Sequence, residues 1–444
     1  MSRFNNPKAL LSLPREPLQR PLKTETKIDE PRPSTPRIGS TPPDSSLGQR
    51  AGFALLCIFS ISAYANEFAV RMFHAKAYIS TVSWVLLPLL MLLSGNLLRG
   101  MRDIIGRLWL AFLAWLCLAA PFSVWRGGSL LLLADYIPHG WIQLYYFAAF
   151  VISIGHLRRL MFFLVAANWL LLVDCYWFGS VQGGRLEIPD SVFFSNANDL
   201  SLQLIIAITQ FMFLVFQPQV WKRLLGVAGI MGALVFMLRT AARGAFVAIL
   251  TLALVSLLLG RNRIRYLLIG VPVLAVALLL TPAPALHRMM LIALNPTADA
   301  QDESAVASQM QRTELFRQSL NYAITHPLMG VGPGQFAVAV FGDSVKEGKP
   351  APWLGTHNSY TQVASECGIP AFLLYTSVII LALVSNFRIY RRSAGDSRTL
   401  AFCLFSGVLV YAICTFFFHI AYSSYLPSLA GLSVALRLAN RRVA

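Results

Sequence analysis

Four arginines and one histidine stand out as residues that could do chemistry, and each lies in a segment that connects apolar runs. They are Arg185, Arg239, Arg243, Arg312 and His357. A guanidinium group binds phosphate oxygens through two parallel hydrogen bonds, and a neutral imidazole accepts a proton near pH 7. The residue types predict chemistry on a phosphorylated substrate, in which the arginines neutralise charge and the histidine is the base.

His357 lies in the segment GTHNSY, which spans residues 355–360. Thr356 is a good N-cap residue, and a helix that starts there places His357 in its first turn. The positive end of the helix dipole disfavours imidazolium and keeps the ring neutral. Asn358 follows directly, and we expect its side chain to contact the substrate. We expect His357 to act as a general base; the alternative is a structural histidine.

Arg312 lies in a segment, 309–324, that has the period of an amphipathic helix. The apolar positions of that helix are Leu315, Phe316, Leu320 and Ala323. Arg312 precedes the first two by three and four positions, so it lies along the apolar stripe. A guanidinium on a packed face requires an anionic partner. The alternative is an arginine that extends to the surface.

Two further segments carry polar side chains of the same kind. Arg239 and Arg243 flank a Thr-Ala-Ala turn between two apolar runs, where they could bind lipid phosphate or headgroups of no particular lipid. Arg185 follows a Gly-Gly pair, and Asn198 lies a few residues further on. We predict that both contact the substrate; helix capping is the alternative for Asn198 and for its neighbour Asp199.

Other residues give weaker signals. Gly330, Gly332 and Gly334 predict a structural turn, because the pattern has neither the Lys-Ser/Thr of a phosphate-binding loop nor the GxGxxG spacing. The acidic residues Glu67 and Asp174 fall in or near apolar runs and either contact substrate or pair with an arginine. The loops that hold the arginines have no Asp-x-Asp pair or His/Cys cluster, so we predict no metal and no other cofactor.

Composition identifies the setting in which these residues must work. Of the 444 residues, 56% are hydrophobic and only 13% are charged, where roughly 25% is usual for a soluble protein. This composition predicts a membrane protein. The net charge of +17 is typical of basic loops held on the cytoplasmic side, so we expect no nucleic-acid partner. The six cysteines lie in or beside apolar runs and predict neither disulfides nor a metal site.

The hydropathy pattern predicts an all-α polytopic protein with about twelve membrane-spanning helices. The predicted spans are 51–70, 77–97, 104–122, 138–155, 160–178, 199–217, 223–238, 244–260, 264–282, 369–387, 399–418 and 422–438. The fourth span is preceded by residues 129–136, which could form a separate interfacial helix. Lys and Arg in the assigned inner loops outnumber those in the short outer loops by about three to one, which places both termini in the cytoplasm.

This topology brings the chemistry-bearing residues to one membrane face. The first 50 residues are rich in proline and predict a disordered cytoplasmic tail, ahead of a transmembrane domain at 51–444. A long periplasmic loop of amphipathic helices, about 283–368, separates the ninth and tenth spans and contains Arg312 and His357. Its polar stretch 296–309 is expected to be flexible. Several cations beside lipid, together with one neutral base, predict a lipid diphosphate substrate.

The arrangement resembles the O-antigen ligase and polymerase superfamily of bacterial membrane glycosyltransferases over roughly residues 51–440. The resemblance rests on Arg185 with the FSNAN sequence of 194–198, the RGA sequence of 243–245, Arg312 ahead of the PLMGVG sequence of 327–332, and His357-Asn358 ahead of Gly368. Where the family often has Ser before the Arg-Gly pair, this chain has Ala242.

The resemblance implies transfer of a glycan from undecaprenyl diphosphate to an acceptor hydroxyl at the periplasmic face of the inner membrane, without a metal. An O-antigen ligase transfers it to lipid A–core. A polymerase uses a second lipid-linked glycan, and a protein O-oligosaccharyltransferase uses Ser or Thr. Membrane lipids are further expected partners. The rival class is a twelve-helix transporter, but the short link of residues 217–222 is unlike the long link between the halves of such proteins.

Overall fold

A computed structural model describes residues 46–73, 79–191, 194–259, 263–281, 283, 300–348 and 353–441. Most of these residues are helical, as the hydropathy pattern predicts. Residues 45–444 form one compact unit. The predicted tail lies outside the described residues, except at its end, where the first helix already begins at Leu47.

The helices follow one another along the chain, with one short hairpin between the sixth and seventh. They are α1 (Leu47–Phe73), α2 (Ile79–Leu93), α3 (Ile104–Ala119), α4 (Arg126–Tyr136), α5 (Gln143–Phe150), α6 (Ile154–Phe178), β1 (Ser180–Gln182), β2 (Arg185–Glu187), α7 (Ala197–Val215), α8 (Val220–Arg239), α9 (Arg243–Leu259), α10 (Arg263–Leu279), α11 (Ala300–Thr325), α12 (Phe336–Lys346), α13 (Ser359–Arg392), α14 (Gly395–Cys414) and α15 (Tyr425–Asn440). Short 3₁₀ turns at Leu97–Arg102 and Ala120–Phe122 and a π-turn at Ile137–Trp141 join some of them.

Six of the described helices are long and apolar enough to cross a membrane. They are α3 with its 3₁₀ extension, α6, α7, α8, α13 and α14. Helix α1, which bends by 53° between its two parts, is a seventh if both parts count as one span. Helices α2, α9 and α10 have shorter apolar stretches. The protein is therefore a helical membrane protein, while the full set of twelve spans stays a prediction.

The fourth predicted span, 138–155, is not a single helix. A π-turn is followed by the eight-residue helix α5, and helical structure ends before Val151. The buried guanidinium of Arg99 accounts for this break, since it donates hydrogen bonds to the carbonyls of Ala148, Val151 and Ile152 that a continuous helix would use internally. The separate helix expected before this span is confirmed as α4.

Two predictions for the long loop change in the structure. Helix α11 begins at Ala300, so the described part of the stretch 296–309, which was expected to be flexible, is helical. Residues 359–367, expected to lie before the tenth span, form the first part of α13. Gly368, at φ 81° and ψ 174°, marks a break inside that helix, because only glycine adopts this conformation readily.

Several helix ends meet at one end of the bundle, which we call the site end. The Ser359 amide at the start of α13 donates to the Thr415 carbonyl after α14. Gly244 in α9 lies so close to the loop after α14 that a Cβ on this glycine would be 2.6 Å from Phe417 Cβ. The hairpin joins the same end through Arg185. Below it, large buried side chains such as Trp109 and Tyr411 fill the core.

Candidate active site

Arg185 connects three elements at the site end. The two glycines before it, at φ 54° and 73°, form the tight turn between β1 and β2. The Arg185 guanidinium donates to the Thr240 carbonyl after α8 at 3.2 Å and to Asn198 Oδ1 in α7 at 2.7 Å. One cation therefore fixes the hairpin against the ends of two helices.

Asn198 has a structural contact that the sequence did not predict. Its side-chain oxygen accepts the hydrogen bond from Arg185, so that this atom helps to orient the guanidinium. Asn198 is not the helix cap that the alternative predicted. The N-cap of α7 is Asn196, whose Oδ1 accepts from the Asn198 amide at 2.9 Å.

Arg239 and Arg243 lie on either side of a tight turn between α8 and α9. Ala241 in this turn has a φ of 50°, and both Ala241 and Ala242 are buried. Arg239 Nε is buried and lacks a hydrogen-bond partner within the part of the chain that the structure describes. Arg243 begins α9, where the helix dipole opposes a cation and favours an anion beside it.

Arg312 lies on the packed side of α11, as its spacing predicts. Leu315, Ser319 and Ala323 form the buried face of this helix, and Arg312 precedes the first of them by one turn. Phe316, which the sequence assigns to the same stripe, lies at its edge with 41% of its surface exposed, and Leu320 is similarly exposed. Arg312 itself is half-buried.

The glycine-rich turn after α11 is structural, as its pattern indicates. The Val331 and Gly332 amides donate to the carbonyls of Ser365 and Glu366 at 2.9 and 2.8 Å. A Cβ on Gly330, which has a φ of 65°, would lie 2.2 Å from the Glu366 backbone carbon. A Cβ on Gly368 would lie 2.0 Å from the Leu328 carbonyl oxygen. The two backbones approach too closely for any side chain.

Glu366 ties the end of this turn to α13. Its carboxylate is buried and accepts hydrogen bonds from the Gly334 and Phe336 amides at 3.0 and 3.3 Å. These contacts hold the N-terminus of α12 against the first part of α13. The long loop is thus bonded to the helix that follows His357.

His357 lies just before α13, in a conformation that the sequence did not predict. The N-cap is Asn358 instead of Thr356, because Asn358 Oδ1 accepts from the Tyr360 and Thr361 amides at 2.9 and 3.1 Å. His357 is therefore outside the first turn, and its φ of 53° is left-handed. That region costs a non-glycine residue roughly 1–2 kcal/mol. The hydroxyl of Thr356 donates to the Asn358 carbonyl at 2.9 Å and closes the loop around the histidine.

The surroundings of His357 keep its imidazole neutral. Burial, then His419, Arg312 and Arg185 lower its pKa from 6.5 to about 4. The neutrality expected from a helix dipole is present, but desolvation and neighbouring cations produce it. His357 Nδ1 is buried and has no hydrogen-bond partner in the described ranges. Two of the predicted arginines, Arg312 and Arg185, therefore lie near enough for their charges to act on the predicted base.

His419 is a residue of this site that sequence reasoning missed. It lies in the loop between α14 and α15, and its ring contacts that of His357 edge to face, with ring centroids 5.0 Å apart. Burial and the charge of Arg312 lower its pKa, although part of the ring is exposed. The segment TFFFHIAYSS has no motif that would have identified it.

Other predicted residues fall elsewhere. Glu67 pairs with Arg71 at 3.7 Å, which is the arginine pairing predicted as one of its two roles. Asp174 is buried, and its Oδ1 lacks a partner among the described residues. His326 is exposed, and its Nδ1 contacts the Thr325 hydroxyl. Over the described ranges, no group of three or more His, Cys, Asp or Glu side chains could hold a metal ion.

One segment of the chain matches a known protein family. Residues 228–376 match the family model described as O-Antigen ligase. The matched segment contains Arg239, Arg243, Arg312 and His357, whereas Arg185 and the loop with His419 lie outside it. No curated protein matches the chain. The resemblance to the O-antigen ligase superfamily is thereby confirmed over the segment that supplies most of the site.

Proposed function

Starting from an O-antigen ligase domain at residues 228–376, we propose that this protein transfers a glycan from undecaprenyl diphosphate to an acceptor hydroxyl. The reaction takes place at the periplasmic face of the inner membrane, and the acceptor is the lipid A–core. The observation that carries the proposal is the meeting of a neutral, partly buried histidine with Arg312 and Arg185 at one end of a membrane-helix bundle.

The arginines bind the diphosphate of the donor. Three arginines provide guanidinium groups for phosphate oxygens. They are Arg243 at the start of α9, Arg239 on the other side of the turn between α8 and α9, and Arg312 on the packed face of α11. Arg185 is held in position by Thr240 and Asn198 and adds positive charge on the side of the hairpin. Negative charge accumulates on the diphosphate as the glycosidic bond breaks, and preorganised cations stabilise it.

His357 accepts the proton of the acceptor hydroxyl. The acceptor oxygen forms a bond to the anomeric carbon of the glycan, while the bond between that carbon and the phosphate oxygen breaks. The bonding electrons leave with undecaprenyl diphosphate, and the acceptor proton moves to the imidazole. Because the ring is neutral at pH 7, a nitrogen lone pair is available for this proton. The amide of Asn358 lies beside this step and contacts the substrate.

Bound diphosphate also adjusts the strength of the base. A base whose pKa lies near the working pH is the most effective, and in the empty site the pKa of His357 is only about 4. Donor negative charge beside Arg312 and Arg185 offsets the cations that lower this pKa. The histidine therefore becomes a stronger base when the donor is bound, which couples proton transfer to the presence of substrate.

The direct test is transfer by the purified protein in detergent or liposomes, supplied with an undecaprenyl-diphosphate-linked glycan and lipid A–core. The expected result is a glycan-bearing lipid A–core and the release of undecaprenyl diphosphate. Lengthening of the lipid-linked glycan instead would replace the lipid A–core acceptor with a second donor molecule. No loss of glycan from the donor with either acceptor would refute glycan transfer.

A further inference from the structure

The loop that follows α14 is bonded to the start of α13 on both sides of His419. Ser359 Oγ donates to the Phe418 carbonyl at 2.7 Å and accepts from the Ile420 amide at 2.9 Å. Gln362 Oε1 accepts from the Ala421 amide at 3.3 Å. Together with the bond between the Ser359 amide and the Thr415 carbonyl, these contacts fix the backbone immediately before and after His419.

The backbone beside His357 is shaped to receive the His419 ring. A Cβ on Gly355 would lie 2.7 Å from His419 Cδ2, and the next nearest atoms belong to the same ring. The two histidine rings are nearly perpendicular, at 86°. Only glycine at position 355 leaves the ring this space, so the loop, the glycine and the left-handed His357 form one packed unit.

We propose that His419 is a positioning residue, which holds the His357 imidazole towards the acceptor through the edge-to-face contact. This inference rests on the proposed role of His357 as base. Within the described residues His357 Nδ1 has no hydrogen-bond partner, whereas the His419 ring packs against the imidazole edge to face. Position matters for a base, because a displacement of 1 Å can lower a rate by roughly 100-fold.

The titratable and charged groups that face His357 come from three elements. They are His419 in the loop after α14, Arg312 in α11 and Arg185 in β2, and each lowers the pKa of His357. Loss of His419 therefore raises this pKa in addition to freeing the ring. Since the neutral ring is the active form, the acid limb of the rate profile moves to higher pH when His419 is replaced.

The experiment compares His419→Ala, His419→Phe, Gly355→Ala and the double variant Gly355→Ala/His419→Ala in the transfer assay. We expect His419→Ala to lower kcat by roughly 10-fold to 100-fold with little change in the KM for donor. His419→Phe keeps an aromatic ring in contact and retains most of kcat. Both His419 variants move the acid limb to higher pH, over a pH range in which size-exclusion chromatography shows that they stay folded.

Gly355→Ala tests the same contact from the opposite side. Its Cβ displaces the His419 ring, so the single variant loses activity, while the double variant is no slower than His419→Ala because the clash has gone. If His419→Ala retains both kcat and the acid limb of the original protein, or if the two substitutions act additively, the proposal is wrong. Failure of the proposed function looks different, because the unaltered protein would then transfer no glycan. Failure of the base assignment alone would leave His357→Ala active.

Discussion

The pKa of His357 makes a quantitative prediction about the pH dependence of the enzyme. The parameter kcat/KM for the donor reports ionisations of the free enzyme, and in the free enzyme the pKa of this histidine is about 4. With that pKa roughly 90% of the rings are neutral at pH 5, against roughly 3% for an ordinary histidine with a pKa of about 6.5. We therefore expect kcat/KM at pH 5 to stay close to its value at pH 7.

The same reasoning gives the sign of two further changes. Arg312→Ala removes a cation that lowers the pKa of His357, so its kcat/KM falls more steeply between pH 7 and pH 5 than that of the unaltered protein. The acid limb of kcat, which reports the donor complex, lies at higher pH than that of kcat/KM, because the bound diphosphate adds negative charge beside the ring.

The assay is initial-rate glycan transfer at several donor concentrations between pH 4.5 and 8. Size-exclusion chromatography after incubation at each pH controls for loss of the folded protein. A decline of kcat/KM in the unaltered protein by more than about 10-fold between pH 7 and pH 5 would contradict the depressed pKa of His357. Such a result would mean that burial and the neighbouring charges do not hold this pKa low in the free enzyme.

Three other predictions concern binding, stability and topology. Arg312→Lys transfers glycan poorly, because lysine lacks the planar guanidinium fork and about 1.5–3 kcal/mol of binding free energy is lost. Arg317→Lys, on the exposed side of α11, is the matched control. Full activity of both variants would refute bidentate recognition. Gly330→Ala lowers the thermal unfolding temperature in detergent, since an alanine at its φ of 65° costs roughly 1–2 kcal/mol. Gly342→Ala, with open space around position 342, does not lower it. Equal unfolding temperatures of the two variants would refute the close backbone contact. Reporter fusions give a periplasmic signal at Ser304 and a cytoplasmic signal at Asn262, and a periplasmic signal at Asn262 would refute the topology.

Hydropathy and spacing were enough to predict the helical class and most of the helix positions. The apolar runs are long and most of their ends carry Arg, Lys, Pro or Gly, so most boundaries are determined locally. The prediction of the fourth span failed because of a tertiary contact. The guanidinium of Arg99, far away in sequence, donates hydrogen bonds to the carbonyls of Ala148 and Val151. Nothing in the run 138–155 itself indicates that contact.

The site was predictable where a residue's role depends on its own segment. The position of Arg312 on the packed face of α11 follows from helical spacing, and it was correct. The sequence predicted Thr356 as the N-cap, but Asn358 has that role; both residue types cap helices well, so residue type alone does not distinguish them. His419 was not predictable, because its approach to His357 depends on the bonds of Ser359 to another loop.

The central claim is that His357 is the base of a glycan transfer, and one substitution tests it most directly. Purified His357→Ala is assayed for transfer from the undecaprenyl-diphosphate-linked glycan, with donor binding measured in parallel. His326→Ala, at an exposed histidine that contacts Thr325, is the control and should keep full activity.

General base catalysis contributes roughly 100-fold to 10,000-fold, so His357→Ala should lose detectable transfer. It should still bind the donor, because the arginines remain. A folded His357→Ala protein that transfers glycan at more than about a tenth of the original rate would contradict the claim, and catalysis would then rest on the arginines alone.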